Sequence, residues 1–252
     1  MKNRVSENSP FSFTLIYVMK KRKLCGITFT GLDEYTDLVR AKQIVESSQV
    51  PVEYGILLSK KWAENGTRYL NPNLFLTLLE QDFRLAAHFC GSIAREAVTK
   101  GNWEPGMSLV GEKFNELFQR VQLNISGYGL QKIDLGRIPV KEVIIQQKGA
   151  NDCNAFLSIL SDPRVTVLLD PSGGQGIAAT DEPLNLPVKV GYAGGFSPEN
   201  VVQRVSVLEE SPVVGQFWVD MESGVRTDDK FDLDKVEEVV KLINKYDEED
   251  RI

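Results

Sequence analysis

Little in this chain points outward to a scaffold or a surface. There are three cysteines in 252 residues, Cys25, Cys90 and Cys153, an odd number with no CxxC pair, which excludes a disulfide framework and a thiolate zinc site. Free thiols in a reducing, cytoplasmic setting are expected. Basic residues are outnumbered 35 to 29 and the net charge is -6, so no cationic stripe exists to neutralise a nucleic-acid backbone. No long hydrophobic run occurs. The apolar stretch from Phe11 to Met19 ends in Lys20, Lys21, Arg22 and Lys23, and is far shorter than the roughly 20 residues a membrane helix needs. A basic cluster where a signal peptide would carry its cleavage site argues against secretion as well. Residues 1–18 read as a leader without clear structure, with Met19 an alternative start, and 19–252 as one domain.

What is present is a rhythm. Short β-branched and aromatic runs recur from Lys23 onward, each followed by a loop and a stretch with helical spacing. Eight strands are predicted: Leu24 to Thr30, Val52 to Ser59, Leu85 to Cys90, Arg120 to Ile125, Val143 to Gln147, Val165 to Asp170, Val188 to Ala193 and Gln216 to Asp220. Helices are predicted over Asp33 to Ser47, Pro72 to Gln81, Ile93 to Lys100, Leu109 to Phe118, Asn151 to Leu160, Pro198 to Leu208 and Leu233 to Tyr246, with a weak one around Thr180. No GxGxxG follows the first strand, and the length suits an α/β fold of the (β/α)₈ barrel type, a single closed TIM barrel, better than an open doubly wound sheet. Such a barrel gathers its strand ends on one face. Here those ends are polar: Thr30, Ser59, His88, Cys90, Asn124, Gln147, Asp170, Asp220 and Glu222.

Two of the turns beyond these ends suit an anion. Gly194 and Gly195 precede Phe196-Ser197-Pro198, where Ser197 can cap a helix and Pro198 suits its first position, and Ser223-Gly224 follows the eighth strand. The loops after strands seven and eight form the recurrent phosphate site of this fold. A small phosphorylated or otherwise anionic substrate is therefore the expected partner, with neither nucleic acid nor membrane involved.

Five stretches, in order, resemble the phosphoribosylanthranilate isomerase family. Tyr192-Ala193-Gly194-Gly195-Phe196-Ser197-Pro198-Glu199-Asn200-Val201 is similar to the family's strand-seven motif, and Val219-Asp220-Met221-Glu222-Ser223-Gly224-Val225 to its strand-eight motif. Leu168-Leu169-Asp170, with Gly173-Gly174-Gln175-Gly176 behind it, resembles the strand-six acid and its glycine loop. Arg68-Tyr69-Leu70-Asn71-Pro72 resembles the segment after strand two, and Val121-Gln122-Leu123 the start of strand four.

The resemblance implies an Amadori rearrangement of a phosphoribosylamine to a ketose, in which an Asp is general acid and a Cys general base, without metal or cofactor. Asp170 would be the acid, and Arg68, Gly174, Gly176, Gly194, Gly195, Asp220, Glu222, Ser223 and Gly224 would surround the substrate and its phosphate. For the base, two registers stay open. Lys23-Leu24-Cys25-Gly26-Ile27-Thr28 reproduces the family's motif and would make Cys25 the base. Alternatively, Ile27-Thr28-Phe29-Thr30 continues the strand and Gly31 turns it, which places Cys25 roughly 16 Å below the mouth and Thr30 in the base position. His88, the one histidine, and Cys90 then become candidate bases. Asn124 stands where the family has His, and Glu222 replaces a small Ser beside the phosphate loop. Alternatives to the isomerase are a divergent barrel enzyme acting on another anion, with Asp170, Glu222 and His88 at its centre, and a binding barrel without a base. A monomer or homodimer is expected. The spacing of His88, Asp170, Asp220 and Glu222 gives no support to a metal site.

Overall fold

The computed structural model of the chain describes residues 23–60, 68–125, 140–148, 160–172, 186 and 188–249. Eight strands, β1 (Leu24–Thr30), β2 (Val52–Leu58), β3 (Leu85–Phe89), β4 (Phe118–Leu123), β5 (Glu142–Gln147), β6 (Val165–Leu169), β7 (Val190–Tyr192) and β8 (Phe217–Met221), pair in chain order and close into a barrel. Every neighbouring pair is parallel, including the β8–β1 seam. The described helices are α1 (Leu38–Ser47), α2 (Phe75–Glu80), α3 (Gly91–Lys100), α4 (Glu104–Met107), α5 (Phe114–Leu117), α6 (Val201–Glu210) and α7 (Leu233–Glu249). A small antiparallel hairpin, β9 (Arg226–Thr227) and β10 (Lys230–Phe231), lies between β8 and α7. The expected (β/α)₈ barrel is therefore the observed one. Among the described residues, no helix is long and apolar enough to cross a membrane.

Among the helix boundaries that depart from expectation, three have clear local reasons. The first helix starts at Leu38, not Asp33, because Asp37 caps it through the N–H groups of Val39 and Arg40. Asp33 is wholly buried and bound to Arg226 (3.2 Å) and the Phe231 N–H (2.7 Å) instead. The segment Leu109 to Phe118 breaks into a 3₁₀ turn, Gly111–Lys113, and the single turn of α5, and Phe118 already belongs to β4. Asn200, not Ser197, precedes α6; its amide accepts from the Ser197 N–H and donates to Gly195 O, fixing a turn ahead of the helix. The helix expected over Asn151 to Leu160 falls outside the described residues except for Leu160, as do the leader 1–18 and the segment around Thr180.

The outward faces of the strands meet the helices in one core, built on residues such as Ile27, Tyr54, Phe89, Val121, Ile145 and Val219. The barrel interior is different. At its floor Arg120 pairs with Glu53 (2.8 Å) and Glu142 (3.0 Å), Lys189 with Glu142 (3.3 Å), and the Arg120 guanidinium stacks 4.6 Å from the Trp218 ring. Above this layer Trp218 packs with Ile144, Leu168 and Ala193 as an apolar plug. Gly191 makes room for it, since a Cβ there would fall 2.3 Å from the indole and 2.7 Å from Leu168. Gly191→Ala is therefore expected to destabilise the barrel by about 1–3 kcal/mol, the usual range for overpacking a core, as measured by urea unfolding.

Candidate active site

The strand ends converge on a cavity of about 320 Å³. Of the residues expected there, Arg68, His88, Asp170, Gly194, Gly195, Asp220, Glu222 and Ser223 all line it. Gly224 lies immediately behind Ser223, while Gly174 and Gly176 fall outside the described residues. Cys25 is not at the site. Because β1 runs to Thr30, Cys25 sits at the opposite end of the strand beside the apolar plug, near Lys189, Arg120 and Glu142, where burial pushes its thiol up. Thr30 holds the strand end and lines the cavity.

The anion side is set by glycine. Gly194 and Gly195 both have positive φ, +85° and +68°, a region that favours glycine. Their carbonyls are drawn toward α6, Gly194 O accepting from the Arg204 guanidinium (2.7 Å) and Gly195 O from the Asn200 amide (2.8 Å). Arg204 is thus a brace, lying 3.4 Å over the Phe196 ring, and among the described residues no protein acceptor takes the Gly194 or Gly195 N–H. The loop after β8 presses against this turn: a Cβ on Gly224 would lie 1.9 Å from Phe196 O. The two turns therefore touch only because residue 224 has no side chain. Backbone amides in such a nest suit a phosphate.

Among the described residues, three carboxyl groups line the same cavity. Asp170 is held on both oxygens, Oδ2 accepting from the Gln146 amide (2.6 Å) and Oδ1 from the Ser172 hydroxyl (2.6 Å) and N–H (3.1 Å). Asp220 accepts from the Thr30 hydroxyl at 2.7 Å, and is otherwise buried beside Glu222, Asp170 and Glu53. Burial first, and those negative neighbours second, push its carboxyl up to about 7 against the opposing Thr30 bond. Glu222 stands at the rim, paired with Arg68 at 3.1 Å, while Arg68 also binds Asp229 at 2.8 Å. Burial raises the Glu222 carboxyl, with Asp170 and Asp229 adding to the effect and Arg68 and Arg226 opposing it.

His88 belongs to a relay and not to open solvent. Its Nδ1 lies 3.2 Å from Gln122 Nε2, which also donates to Asn124 Oδ1 (2.9 Å); the Asn124 amide in turn donates to Cys90 Sγ (3.3 Å). With the Gln122 amide in this orientation its nitrogen donates, so Nδ1 accepts and Nε2 carries the proton. No partner takes Nε2 among the described residues, and burial pushes the imidazole down to about 3. His88 is a neutral N–H donor in the cavity wall. Cys90 lies behind it, with its thiol pushed up to about 12 by burial. Neither has the free, accessible lone pair of a base.

Sequence reasoning missed Gln146 and Ser172, the partners of Asp170; it pointed to Arg226 as an offset for Glu222 but not to the bond by which Arg226 ties the loop after β1 to the hairpin. Strand parity was the available signal for the first: Gln147 had been favoured as the polar end of β5, yet it donates to Gln146 O while Gln146 faces the cavity.

The family model for N-(5'phosphoribosyl)anthranilate (PRA) isomerase matches residues 107–242, which include Asp170, both glycine turns, Asp220 and Glu222. No curated protein sequence matches the chain. Among solved structures, monomers of the dimeric phosphoribosylanthranilate isomerase of Thermotoga maritima superpose with a TM-score of 0.55 at 22% identity, covering 88% of this chain and 99% of that one. TrpF from Jonesia denitrificans gives 0.53 at 16% identity, over 88% and 97% of the two chains. The N-(5'-phosphoribosyl)anthranilate isomerase of Pyrococcus furiosus gives 0.50 at 21%, over 87% and 98%. These likenesses repeat the barrel, and the family match, spanning more than half of the chain, goes further: the chain belongs to the phosphoribosylanthranilate isomerase family.

Proposed function

We propose that the protein isomerises a phosphoribosylamine, phosphoribosylanthranilate by the family's name, to the corresponding ketose. One observation carries the reading: an anion nest of two touching glycine turns opens into the same cavity as a fixed carboxyl group, Asp170. The nest would hold the sugar phosphate through backbone amides, with the N–H of His88 as a further donor from the wall. Asp170, fixed by Gln146 and Ser172, would protonate the ring oxygen, so that the ring opens to an iminium. A base then takes the proton from the adjacent carbon, and the enolamine collapses to the ketone. Among the described residues no group of three or more His, Cys, Asp or Glu side chains is arranged to hold a metal ion, and no step above calls for one. The protein would act in the cytoplasm on this small anionic substrate, as a monomer or homodimer.

Asp170→Asn tests the assignment directly, since an amide cannot protonate an oxygen. Turnover of phosphoribosylanthranilate is expected to fall by roughly 10² to 10⁴-fold, while inorganic phosphate, followed by calorimetry, binds as in the wild type. A wild-type protein that binds phosphate but does not turn the substrate over would sink the reading in favour of a binding barrel.

Glu222 supplies an independent check, because a carboxylate beside the nest opposes a phosphate dianion. Glu222→Gln removes that charge and releases Arg68, so phosphate is expected to bind about tenfold tighter at pH 8. The gain should shrink as the pH falls, because the wild-type carboxyl, raised by burial, takes up its proton. Equal binding by both proteins at pH 8 would place the anion elsewhere.

A further inference from the structure

We infer that Asp220 is the second proton-transfer group of the site, a carboxylate that takes over from the neighbouring strand the work for which the end of β1 has no thiol. The inference rests on the isomerase reading. Among the described residues, five ionisable side chains line the cavity: Arg68, His88, Asp170, Asp220 and Glu222. Arg68 is a permanent cation. His88 presents a proton-bearing nitrogen, Asp170 is committed to the ring oxygen, and Glu222 is occupied at the rim by Arg68 at 3.1 Å. Cys90 does not line the cavity, and Cys25 lies at the other end of β1. Asp220 remains.

Its placement fits the task. In the β8–β1 seam Asp220 stands opposite Thr28, two residues short of the strand end, and its carboxyl reaches the Thr30 hydroxyl at 2.7 Å. A carboxylate oxygen is thereby delivered to the strand end at Thr30, the position that the alternative register assigns to the base. Oδ1 is fixed by Thr30, and Oδ2 has no hydrogen-bond partner among the described residues, so one oxygen is held and the other is available to substrate. An ordinary carboxylate is a weak base toward a C–H bond. This one is 7% exposed and faces Glu222 beyond its own strand, Asp170 from β6 and Glu53 from β2, with only the Thr30 hydroxyl favouring the charged form. Burial, with the Glu222 and Glu53 carboxylates beside it, raises its proton affinity to the range useful at neutral pH, and Asp170 adds to this only while it does not carry the proton it gives to the ring oxygen.

The proton inventory closes with two carboxyl groups. Asp170 gives its proton to the ring oxygen as the C–O bond breaks. Asp220 takes the proton from C2, and the C–H electrons form the C1–C2 double bond of the enolamine while the iminium π electrons return to nitrogen. As the C2 hydroxyl becomes a carbonyl, its proton passes to Asp170, and Asp220 delivers the stored proton to C1. Both groups end as they began, and no co-reactant is consumed.

Steady-state kinetics of Asp220→Asn and Thr30→Val beside the wild type test this role. In the wild type, kcat/KM should rise with pH along a limb centred near 7, as Asp220 ionises. Asp220→Asn is expected to lower kcat by about 10² to 10⁴-fold with phosphate binding unchanged. Thr30→Val, which removes the one bond favouring the ionised form, should move the limb to higher pH and leave the plateau in place. A folding control comes from the same carboxyl. Its folded-state pKa lies above the unfolded value, so stability is fully present at low pH and is lost as pH rises through 7. Asp220→Asn should therefore melt several degrees above the wild type at pH 8 and together with it at pH 3. Asp220→Asn retaining kcat within about threefold, or Thr30→Val leaving the limb in place, would overturn the assignment. If Asp170→Asn is inactive in that same series, the isomerase reading stands and Asp220 alone is excluded; a wild type without turnover refutes the isomerase reading itself.

Discussion

The seam between β8 and β1 is the constraint on which the site depends. Closure pairs Ile27 with Val219, Thr28 with Asp220 and Phe29 with Met221, after an irregularity between Leu24 and Gly26. Side chains alternate along a strand, so a slip of one residue would turn Asp220 outward toward the helices and bring an apolar neighbour into the cavity. Buried Arg226 fastens the loop above the seam, donating to Gly31 O at 2.7 Å and pairing with Asp33 at 3.2 Å. Asp33 in turn accepts from the Phe231 N–H, so the loop after β1 is locked to the hairpin after β8. Removing one member would leave a buried charge uncompensated, a larger loss than the pair's own net contribution.

Below the mouth the interior is layered by chemistry. The floor holds charges that are almost all paired, Glu53 and Glu142 against Arg120 and Lys189, with Thr28 and Thr166 donating to the two glutamates. At the mouth, among the described residues, Asp170, Asp220 and Glu222 gather three acidic groups around a cavity whose wall contributes one arginine. The Trp218 plug separates the two layers. Ion pairing satisfies the floor, whereas at the mouth burial raises the proton affinity of Asp220 and Glu222, which is how a buried carboxyl becomes a proton donor and acceptor near neutrality. The mouth thus gives up stability that the floor and the outer core must supply.

Much of this was legible in the sequence, and the failures have identifiable causes. Eight β-branched runs with helical stretches between them were enough for the barrel, because burial on both faces imposes the same pattern on every strand. The pattern Ile27-Thr28-Phe29-Thr30, stopped by Gly31, carried the correct end of β1 even though the motif around Cys25 suggested a shorter strand. What failed was anything set by a partner remote in sequence. His88 was a fair candidate base until Gln122, on the adjacent strand, fixed which of its nitrogens carries the proton. Asp33 looked like a helix start, but its carboxylate is spent on Arg226 and Phe231, nearly 200 residues away. Gln146 and Gln147 are adjacent and identical in type, and only the register of β5 says which one meets Asp170.

Convergence of strand ends also explains how a base can change strands without changing place. Neighbouring parallel strands lie about 4.8 Å apart, less than the reach of an aspartate and a threonine extended toward one another. A group on β8 can therefore put its reactive oxygen where a short side chain on β1 would have put a sulfur, provided the β1 residue is small and can donate. Thr30 meets both conditions, and Gly55 on β2 keeps the space beside it open: a Cβ there would lie 2.3 Å from the Thr30 hydroxyl and 2.8 Å from His88 Nε2. Selection acts on the position of a proton acceptor relative to the substrate, and the barrel offers more than one strand from which to reach it. The position of Cys25 at the far end of β1 is then compatible with retained chemistry, because threonine's hydroxyl, too weak a base by itself, serves to orient the carboxylate beside it.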